Sequence, residues 1–541
     1  MHAAIDWSHE LLSPTRRTLF AQLAVFSGGW TLEAAEAVCN NDLDVIDGLG
    51  SLIDKNLVRL EGTEAEPRFA MLETIRAYAQ EQLEQTDRRD ELCDRHLAWA
   101  VDFAEQADPE LRGPDQSMWL ERLQAELDNF RSAFAWAVEH GEGELALRLG
   151  SGLIEFWIVR ADWSEGRNWL ERALALPGQR DSAVRMKALR AIGELADALS
   201  DYAAATEYFK QSLALARSLG DRRGVADAQI GLAFEAERVG KFAEMRPLLE
   251  DSAAILRDLG DEPSLARSLG GLAWLENDYR RAQKLWNDTL VLHRRLANKE
   301  FVGWTLIEVG LCAQVVGDYA AALRAYDESL GIARELSYER MTARVVTQLG
   351  EVALFGGRPV DARRFFEESL PIWREIGHRS GLVDALRGLG DVARVERDFA
   401  VAAELLDESL TVSREIGARP RVAMALHSLG VLAAAEGDFS RSESLFEEAA
   451  EHWREMNDVA GTAETLRRLG ELAVKQGRFQ RAARLFGDAD ALREQVGAAI
   501  ALCDRPGYER ALEAARAELG DDEFDAIWTA GHDVAATGKV R

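Results

Sequence analysis

The hydrophobic positions of residues 154–497 follow a pattern that repeats about every 40 residues. Each copy has a small residue in an apolar run, spaced 40 residues from the next except for one interval of 37: Gly193, Ala233, Gly270, Gly310, Gly350, Gly390, Gly430 and Gly470. A ring, replaced once by proline, stands nine positions later: Tyr202, Phe242, Tyr279, Tyr319, Pro359, Phe399, Phe439 and Phe479. Seven positions further stands a second large apolar residue: Phe209, Leu249, Trp286, Tyr326, Phe366, Leu406, Phe446 and Phe486. Such a period predicts a repeat architecture.

Each copy of the pattern predicts a pair of helices. Apolar residues at three- and four-residue spacing surround Leu349-Gly350 and Leu469-Gly470, as in an amphipathic helix whose small residue lets a neighbour approach closely. Polar turns such as Gly437-Asp438 separate it from a second helix. Since one helical pair leaves apolar surface exposed, we expect the pairs to stack into a solenoid with a concave inner face.

The order of small residue, ring and second large apolar residue resembles the tetratricopeptide repeat, lengthened from 34 to about 40 residues. The resemblance implies a mainly α protein with a right-handed α-solenoid. Three departures are Ala233 in place of glycine, Pro359 in place of a ring, and the interval of 37 residues, which removes about one helical turn. Pro247 and Pro371 fall inside predicted second helices, where proline is expected to bend the helix.

Residues 1–85 follow a different pattern. The predicted elements are helices capped by Ser13, Thr31 and Asp44, short strands over 57–60 and 68–71, and a helix over about 73–83. Three helices followed by a β-hairpin is the order of a winged-helix module.

A winged helix can bind DNA through its third helix or can serve only as a packing and hinge module. Here the third helix carries Asp44, Asp47 and Asp54 against a single Lys55, and residues 1–85 hold 14 acidic and 6 basic side chains. Because such a charge distribution repels phosphate, we expect a packing module and no direct binding of nucleic acid.

Four segments of this module are similar to the winged-helix part of bacterial STAND regulators: Ala4–Ser8, Leu11–Pro14, Leu23–Gly29 and Leu72–Ala79. In that family an NTPase of NB-ARC type precedes the winged helix, tetratricopeptide repeats follow it, and many members carry a DNA-binding domain at one end. The resemblance covers nearly the whole chain and implies a role in signalling or transcriptional regulation.

The sequence has no G-x-x-x-x-G-K-[ST] phosphate loop, which a P-loop NTPase requires. Related proteins often have a Met-His-Asp motif at the foot of the winged helix, with a histidine that touches nucleotide. The matching positions here are Met71, Leu72 and Glu73. We therefore expect that the chain begins after the NTPase and does not bind ATP.

Four parts of the chain are predicted from these patterns. They are a winged-helix module over 1–85, a helical connector over 86–145, an array of about nine tetratricopeptide repeats over 146–497, and capping helices with a tail over 498–541. An apolar stripe from Trp119 to Ala137 is expected to dock the connector on the first repeat. The tail from Gly531 onward has little to bury and is expected to lack structure.

The overall charge bears on the choice of partner. With 64 Lys and Arg against 93 Asp and Glu, the net charge is -29, which also disfavours nucleic acid. Four cysteines lie scattered without metal or disulfide spacing, as in a reducing cytosol. No run of eighteen apolar residues and no signal peptide is present. The expected location is the cytoplasm, away from membranes.

Candidate chemistry is sparse. The nine histidines show no ligand spacing, and acid pairs such as Glu367-Glu368 and Glu447-Glu448 recur at one repeat offset, which is typical of a solvated face. We expect no catalytic residues, no cofactor and no metal, and hence no enzyme.

The inner face of the first helices is where such repeats usually present binding side chains. Counting three and six residues back and one and four forward from the small residues gives the candidates Trp274, Trp304, Ile307, Gln314, Arg344, Glu351, Arg387, Asp391 and His427. Rings and arginines dominate binding energy at interfaces. The alternative is that pairs such as Arg387 with Asp391, or Arg467 with Glu471, only stabilise their own helix.

Two functions are compatible with these observations. The first is the sensor and protein-interaction arm of a STAND-type signalling or transcriptional regulator, which binds a protein, a peptide or a small-molecule inducer on its concave face. Its further partner would be a separate NTPase or a DNA-binding regulator. The alternative is a free-standing scaffold or co-chaperone-like adaptor.

Overall fold

The computed structural model describes residues 2–39, 43–62, 67–178, 180–276 and 278–536. Over these residues the chain forms 29 α-helices and three short strands. It divides into two compact units, one made of residues 1–157 with 164–191 and the other of residues 158–163 with 192–541.

The winged helix contains the predicted elements and, in addition, an N-terminal helix, a 3-10 turn and a third strand. They are α1 His2–Glu10, α2 Pro14–Gln22, a 3-10 turn Leu23–Val25, β1 Trp30–Thr31, α3 Leu32–Val38, α4 Val45–Asp54, β2 Arg59–Gly62, β3 Pro67–Ala70 and α5 Glu73–Glu84. The three predicted caps are present: the side chains of Ser13, Thr31 and Asp44 each accept a backbone N–H at the start of their helix. The sheet order is β1-β3-β2, all antiparallel.

A polar network joins the winged helix to the connector within the first unit. The Asn129 amide donates to the Gly29 carbonyl at 2.8 Å and its oxygen accepts from the Ser27 backbone at 2.7 Å. Arg68 of β3 binds the Glu126 carboxylate and donates to the Ala125 carbonyl at 2.9 Å. Since Asn129 and Glu126 are buried, this network holds the wing of the module against the connector.

Helices continue through the connector and into the first helical pairs. They are α6 Arg89–Glu110, α7 Gln116–Ala125, α8 Leu127–Glu139, α9 Gly143–Gly152, α10 Ile154–Arg160, α11 Trp163–Leu174 and α12 Ala183–Ala198.

The following repeats alternate an inner and an outer helix. They are α13 Tyr202–Leu219, α14 Arg222–Arg238, α15 Phe242–Leu259, α16 Glu262–Trp274, α17 Tyr279–Arg295, α18 Lys299–Val315, α19 Tyr319–Glu335, α20 Glu339–Phe355, α21 Pro359–Glu375, α22 Arg379–Val395, α23 Phe399–Glu415, α24 Arg419–Glu436, α25 Phe439–Met456, α26 Val459–Lys475 and α27 Phe479–Val496. Two more helices follow, α28 Arg505–Leu519 and α29 Asp521–Ala536.

The small residues and the second large apolar residues of the pattern meet inside each repeat. A Cβ added at Gly350 would lie 2.8 Å from the Phe366 ring, and one at Gly470 would lie 2.5 Å from the Phe486 ring. Because real Cβ atoms do not approach so closely, these rings require glycine opposite them. Pro359 occupies the first turn of α21, where a missing N–H has no consequence. The interval of 37 residues corresponds to a 13-residue α16 in place of the 17 residues of α18.

Two turns between the helices of a repeat combine a left-handed glycine with a capping aspartate. Gly317 and Gly437 have φ of 87° and end the first helix of their repeats in the left-handed conformation. The next residue is an aspartate whose side chain caps the second helix, as Asp318 does on Ala321 at 2.9 Å and Asp438 on Arg441 at 3.0 Å. Glycine followed by a capping aspartate thus reverses the chain without leaving helix ends unsatisfied.

The repeat array coils until early repeats touch later ones within the second unit. The Ser380 backbone donates to the Ser200 hydroxyl at 3.0 Å, and Arg160 donates to the Leu336 carbonyl at 3.3 Å. Tyr202 packs with Ile416 in one buried cluster. The inner face of the first repeats is therefore covered by the chain itself rather than left open.

The last helix runs further than the sequence indicated. Residues 531–536, expected to lack structure, continue α29, and Ala535 is fully buried. Gly487 of α27 and Gly531 of α29 leave no room for a Cβ against the backbone of the other helix, so these helices pack backbone to backbone. Residues 537–541 lie outside the described residues.

Candidate functional site

A cavity of about 620 Å³ opens inside the second unit. Its walls come mainly from the inner helices of five successive repeats, α18, α20, α22, α24 and α26, from α27 and from the segment that follows α27. Apolar side chains such as Val431 and Met424 share these walls with charged ones. A volume of this size is in the range of ligand-binding pockets.

Arginines are the dominant charged side chains of the cavity. Five of them line it: Arg387, Arg394, Arg467, Arg468 and Arg493. Four carboxylates line it as well, Asp391, Glu464, Asp490 and Asp504, so the cavity is nearly balanced in charge within a chain of net charge -29. Planar guanidinium forks suit carboxylate and phosphate groups.

One group of charges, which we name the cavity cluster, consists of Glu464, Arg467, Arg468, Glu471 and Asp504. Arg468 donates to Asp504 at 2.5 Å and to Glu464 at 3.2 Å, and Arg467 reaches Asp504 at 3.2 Å. Burial opposes ionisation of Asp504, but Arg468 and Arg467 outweigh it and lower the pKa of this carboxyl to about 2. The carboxylate therefore stays charged at neutral pH.

The residues from Ala498 to Asp504, which we name the strap, connect α27 to α28 across the ends of two inner helices. The Ala499 backbone donates to the Val315 carbonyl at 2.8 Å, and the Cys503 backbone donates to the Phe355 carbonyl at 3.0 Å. Val315 ends α18 and Phe355 ends α20. The last carbonyls of a helix have no partner within it, so the strap satisfies acceptors that the repeats leave open.

Four of the predicted groove residues line the cavity: Gln314, Arg387, Asp391 and His427. Gln314 accepts from the Tyr326 hydroxyl at 3.2 Å, Arg387 contacts Asp391 at 3.5 Å, and His427 lies 3.1 Å from the Thr465 hydroxyl. Burial lowers the pKa of His427 to about 4, so this ring is a neutral hydrogen-bonding group at neutral pH.

The other predicted residues lie elsewhere. Glu351 binds Arg387 behind the cavity wall, while Arg344 pairs with Asp384 at 3.1 Å. The Trp304 ring packs edge-on against Tyr338 and lies under Arg340. Trp274 lines a separate cavity of about 280 Å³ together with Trp286. Ile307 is only 1% exposed, because the core of the array covers it.

A second group of buried charges, which we name the closing cluster, lies where early and late repeats meet: Asp197, Glu235, Arg238 and Arg340. Arg238 binds Asp197 at 3.1 Å and Arg340 lies 3.7 Å from the same carboxylate. Burial and the neighbouring Asp197 charge raise the pKa of Glu235 well above its usual range. Glu235 therefore holds its proton more tightly than an exposed glutamate, and its carboxyl is hydrogen-bonded to Asp197.

The sequence interpretation missed the strap and undervalued Arg467. Arg467 does pair with Glu471, as the alternative reading held, but it also binds Glu464 and the strap residue Asp504. The signal for Arg467 was present, because it stands three residues before Gly470, the offset that Arg387 and His427 share. No periodic pattern marks the strap.

Other kinds of site were sought in the part of the chain that the structure describes. There, no group of three or more His, Cys, Asp and Glu side chains is placed to hold a metal ion. Likewise, none of the described helices is long and apolar enough to cross a membrane.

The comparison with protein families matches both parts of the architecture. A winged helix-turn-helix domain family matches residues 12–84. A tetratricopeptide repeat family matches four overlapping segments, 301–375, 339–415, 381–455 and 421–495.

Known proteins share parts of the chain. A Mycobacterium bovis protein named "Putative HTH-type transcriptional regulator" is 37% identical over 238 residues, which cover 41% of this chain and 26% of that protein. The chain thus matches about a quarter of the length of this relative.

Two solved structures resemble the chain. The crystal structure of a STAND protein with a tetratricopeptide repeat sensor from Pyrococcus horikoshii has a TM-score of 0.46 at 16% identity, covering 83% of this chain and 64% of that one. A Rap protein complexed with competence and sporulation factor has a TM-score of 0.46 at 14% identity, covering 71% of this chain and 99% of that one. From the two family matches and its own helices, the chain consists of a winged helix-turn-helix domain followed by tetratricopeptide repeats.

Proposed function

We propose that this chain is the sensor and protein-interaction arm of a STAND-type signalling or transcriptional regulator, and that its cavity binds a peptide. The observation that carries the proposal is the cavity itself, where apolar side chains, four arginines of the inner helices α22 and α26, and Arg493 of α27 face one space. The relative named as an HTH-type transcriptional regulator supports the regulatory role.

The chemistry of the walls favours a peptide with both polar and apolar groups. Guanidinium forks bind carboxylates in a fixed geometry, whereas Val431 and Met424 offer apolar contact. In the regulator, the NTPase would be a partner of this arm, and ligand binding in the cavity would change how the arm contacts it.

A selection from random seven-residue peptides on the immobilised full chain tests this proposal. We expect enriched peptides to bind with micromolar dissociation constants, about -8 kcal/mol, measured by fluorescence anisotropy. Val431→Glu places a charge in the cavity wall and should abolish binding. The matched control Val401→Glu changes a residue that is 39% exposed on the outer helix α23 and should leave binding intact.

Two results would contradict the proposal. One is a selection that enriches no peptide. The other is a set of enriched peptides that Val401→Glu and Val431→Glu affect equally, since those peptides would then bind outside the cavity. If the chain instead binds only small molecules, its ligand is a small-molecule inducer and not a peptide.

A further inference from the structure

The strap has the contacts of a bound peptide although it belongs to the chain. The geometry points to the strap as a built-in occupant of the ligand site, which a peptide carrying a carboxylate must displace in order to bind. This inference rests on the proposed function of the cavity and adds the class of ligand and the means of regulation.

The first support is the backbone register of the strap. Its two donors, the Ala499 and Cys503 amides, are four residues apart, and their acceptors, the Val315 and Phe355 carbonyls, stand at equivalent positions of two successive repeats. Four extended residues span at most about 13 Å, which covers the distance of about 8–10 Å between packed helices. Leu502–Asp504 form a turn, in which the Asp504 N–H donates to the Ala501 carbonyl at 3.0 Å. A chain of any sequence that turns at this point can therefore donate to one helix end per repeat.

The second support is the position of the strap carboxylate. Asp504 ends the strap and contacts both Arg467 and Arg468 of the cavity cluster. Arg467 is nearly inaccessible, with 3% of its side chain exposed. Without this carboxylate, Arg467 and Arg468 keep Glu464 and Glu471 but each loses one partner. A ligand carboxylate at the same place restores that contact.

The third support is what the strap leaves unfilled. Ala498, Ala499 and Ala501 line the cavity with methyl groups, and about 620 Å³ stays open beside them. The Nε atom of Arg493 is buried without a hydrogen-bond partner among the described residues, and the Arg394 Nε has only a long contact of 3.6 Å with Asp391. A peptide with larger side chains can therefore make contacts that the strap does not make.

These contacts explain how a free peptide competes with a tethered one. A segment held by short connections has an effective concentration of about millimolar. A ligand present at micromolar concentration must therefore bind about 1,000-fold more tightly than the strap does, and the open volume and unpaired donors are the source of that difference. Displacement would also pull on α28, whose Tyr508 donates to Asp490 of α27 at 2.9 Å, so the C-terminal helices can report ligand binding.

The test uses a strapless variant in which residues 498–504 of the full chain are replaced by seven Gly and Ser residues. The probe is a fluorescein-labelled peptide with the strap sequence, Ala-Ala-Ile-Ala-Leu-Cys-Asp, followed by anisotropy. We expect at least tenfold tighter binding to the strapless variant than to the unmodified chain. A probe with Asn in place of its Asp should bind the strapless variant at least tenfold more weakly.

Backbone methylation of the probe tests whether binding depends on the positions of its N–H donors or only on its amino-acid composition. An N-methyl group on the residue equivalent to Ala499 or Cys503 removes a donor and should weaken binding at least tenfold. The same group on the residue equivalent to Ala501, whose N–H is not among those the strap gives to the helix ends, is the control and should weaken it less. If the strapless variant does not fold, as judged by circular dichroism, Asp504→Asn in the full chain takes its place and should admit the probe.

The outcomes distinguish this inference from the proposed function. If a folded strapless variant ignores the probe, or binds the Asn version equally well, the strap is only a linker and the inference is wrong. If random peptides bind the strapless and unmodified chains equally and the probe does not displace them, the proposed function stands and the inference fails. If the probe binds but the selection yields no peptide, the strap only occupies the cavity of its own chain, and the proposed function as a peptide sensor is wrong.

Discussion

Two clusters of arginines and carboxylates lie inside the repeat array, and they differ in whether one partner can leave. In the closing cluster, Asp197, Arg238 and Arg340 all belong to helices of the array, and 14–28% of each side chain is exposed. In the cavity cluster, Arg467 and Arg468 belong to a packed helix, but Asp504 belongs to a strap beside an open cavity.

Whether the carboxylate belongs to a helix or to the strap decides whether a charge cluster stabilises the fold or can bind a ligand. Buried ion pairs contribute little net stability, yet removal of one partner is costly because the other stays buried. A cluster whose members all belong to helices therefore fixes how early and late repeats meet. A cluster with an exchangeable carboxylate, by contrast, is a site where one acid can replace another.

Arg238→Met should have the largest effect, because it leaves Asp197 buried with only the more distant Arg340. We expect a loss of about 3–5 kcal/mol in the free energy of unfolding, measured by urea denaturation. The control Arg414→Met removes an exposed pair with Glu448 and should cost at most about 1 kcal/mol. Equal losses of unfolding free energy in the two variants would show that the closing cluster contributes no more to stability than an exposed ion pair.

Glu308→Gln should stabilise the protein in a pH-dependent way. Burial raises the pKa of Glu308 to about 7, with Arg344 opposing the shift. The unfolded chain ionises near its ordinary value of 4.5, so wild-type stability falls as pH rises from about 4.5 to about 7. The variant should equal wild type at pH 4 and exceed it by about 1–3 kcal/mol at pH 8.

Urea denaturation at pH 4, 6 and 8 measures this effect. Glu328→Gln, which changes a carboxylate that is 47% exposed beside Arg294, is the control and should give no such divergence. Parallel pH profiles for wild type and Glu308→Gln would contradict the raised pKa.

Trp304→Ala should lower stability by about 1–2 kcal/mol without changing peptide binding in the cavity. The ring makes an edge-on contact with Tyr338 and a cation–π contact with Arg340, each worth about 0.5–1.5 kcal/mol. Trp286→Ala, which empties a repeat core position that is 8% exposed, should cost about 3–5 kcal/mol. If Trp304→Ala lost peptide binding but kept its stability, this ring would belong to the binding surface, as the sequence predicted.

Asp504→Asn should have the smallest effect on stability, about 1 kcal/mol, because Arg467 and Arg468 keep Glu464 and Glu471. Hydrogen exchange should show the change instead, as the strap amides lose protection. The lowered pKa of Asp504 means that wild type loses the same protection as pH falls from about 4 to about 2. Unchanged exchange in the variant would show that the backbone contacts alone hold the strap.

Local periodicity was enough to predict most of the fold. Gly350 and Phe366 could be paired because both lie in one repeat, and the caps Thr31 and Asp44 depend only on their own helices. Strand β1 was missed because two residues, Trp30 and Thr31, carry no alternating pattern, and their pairing partner lies on β3.

The candidate site was predicted only where repeat offset decides the environment. Arg387 and His427 line the cavity as their offset indicated, while Ile307 at the same offset is buried. Trp304, at a different offset, packs in the array interior because early and late repeats meet there. Such a long-range contact, like that of the strap with Val315, leaves no trace in a periodic pattern.

The hydrogen bond from Ser380 to Ser200 spans 180 positions of sequence. Ordinary solenoids interact only with their neighbours, so they fray from their ends and tolerate the gain or loss of a unit. An array that returns to touch itself has a higher contact order, which slows folding and couples distant repeats into one cooperative transition. Deletion of a single repeat between these residues would place the wrong helix opposite Ser200, so the number of repeats in this protein is fixed by its geometry.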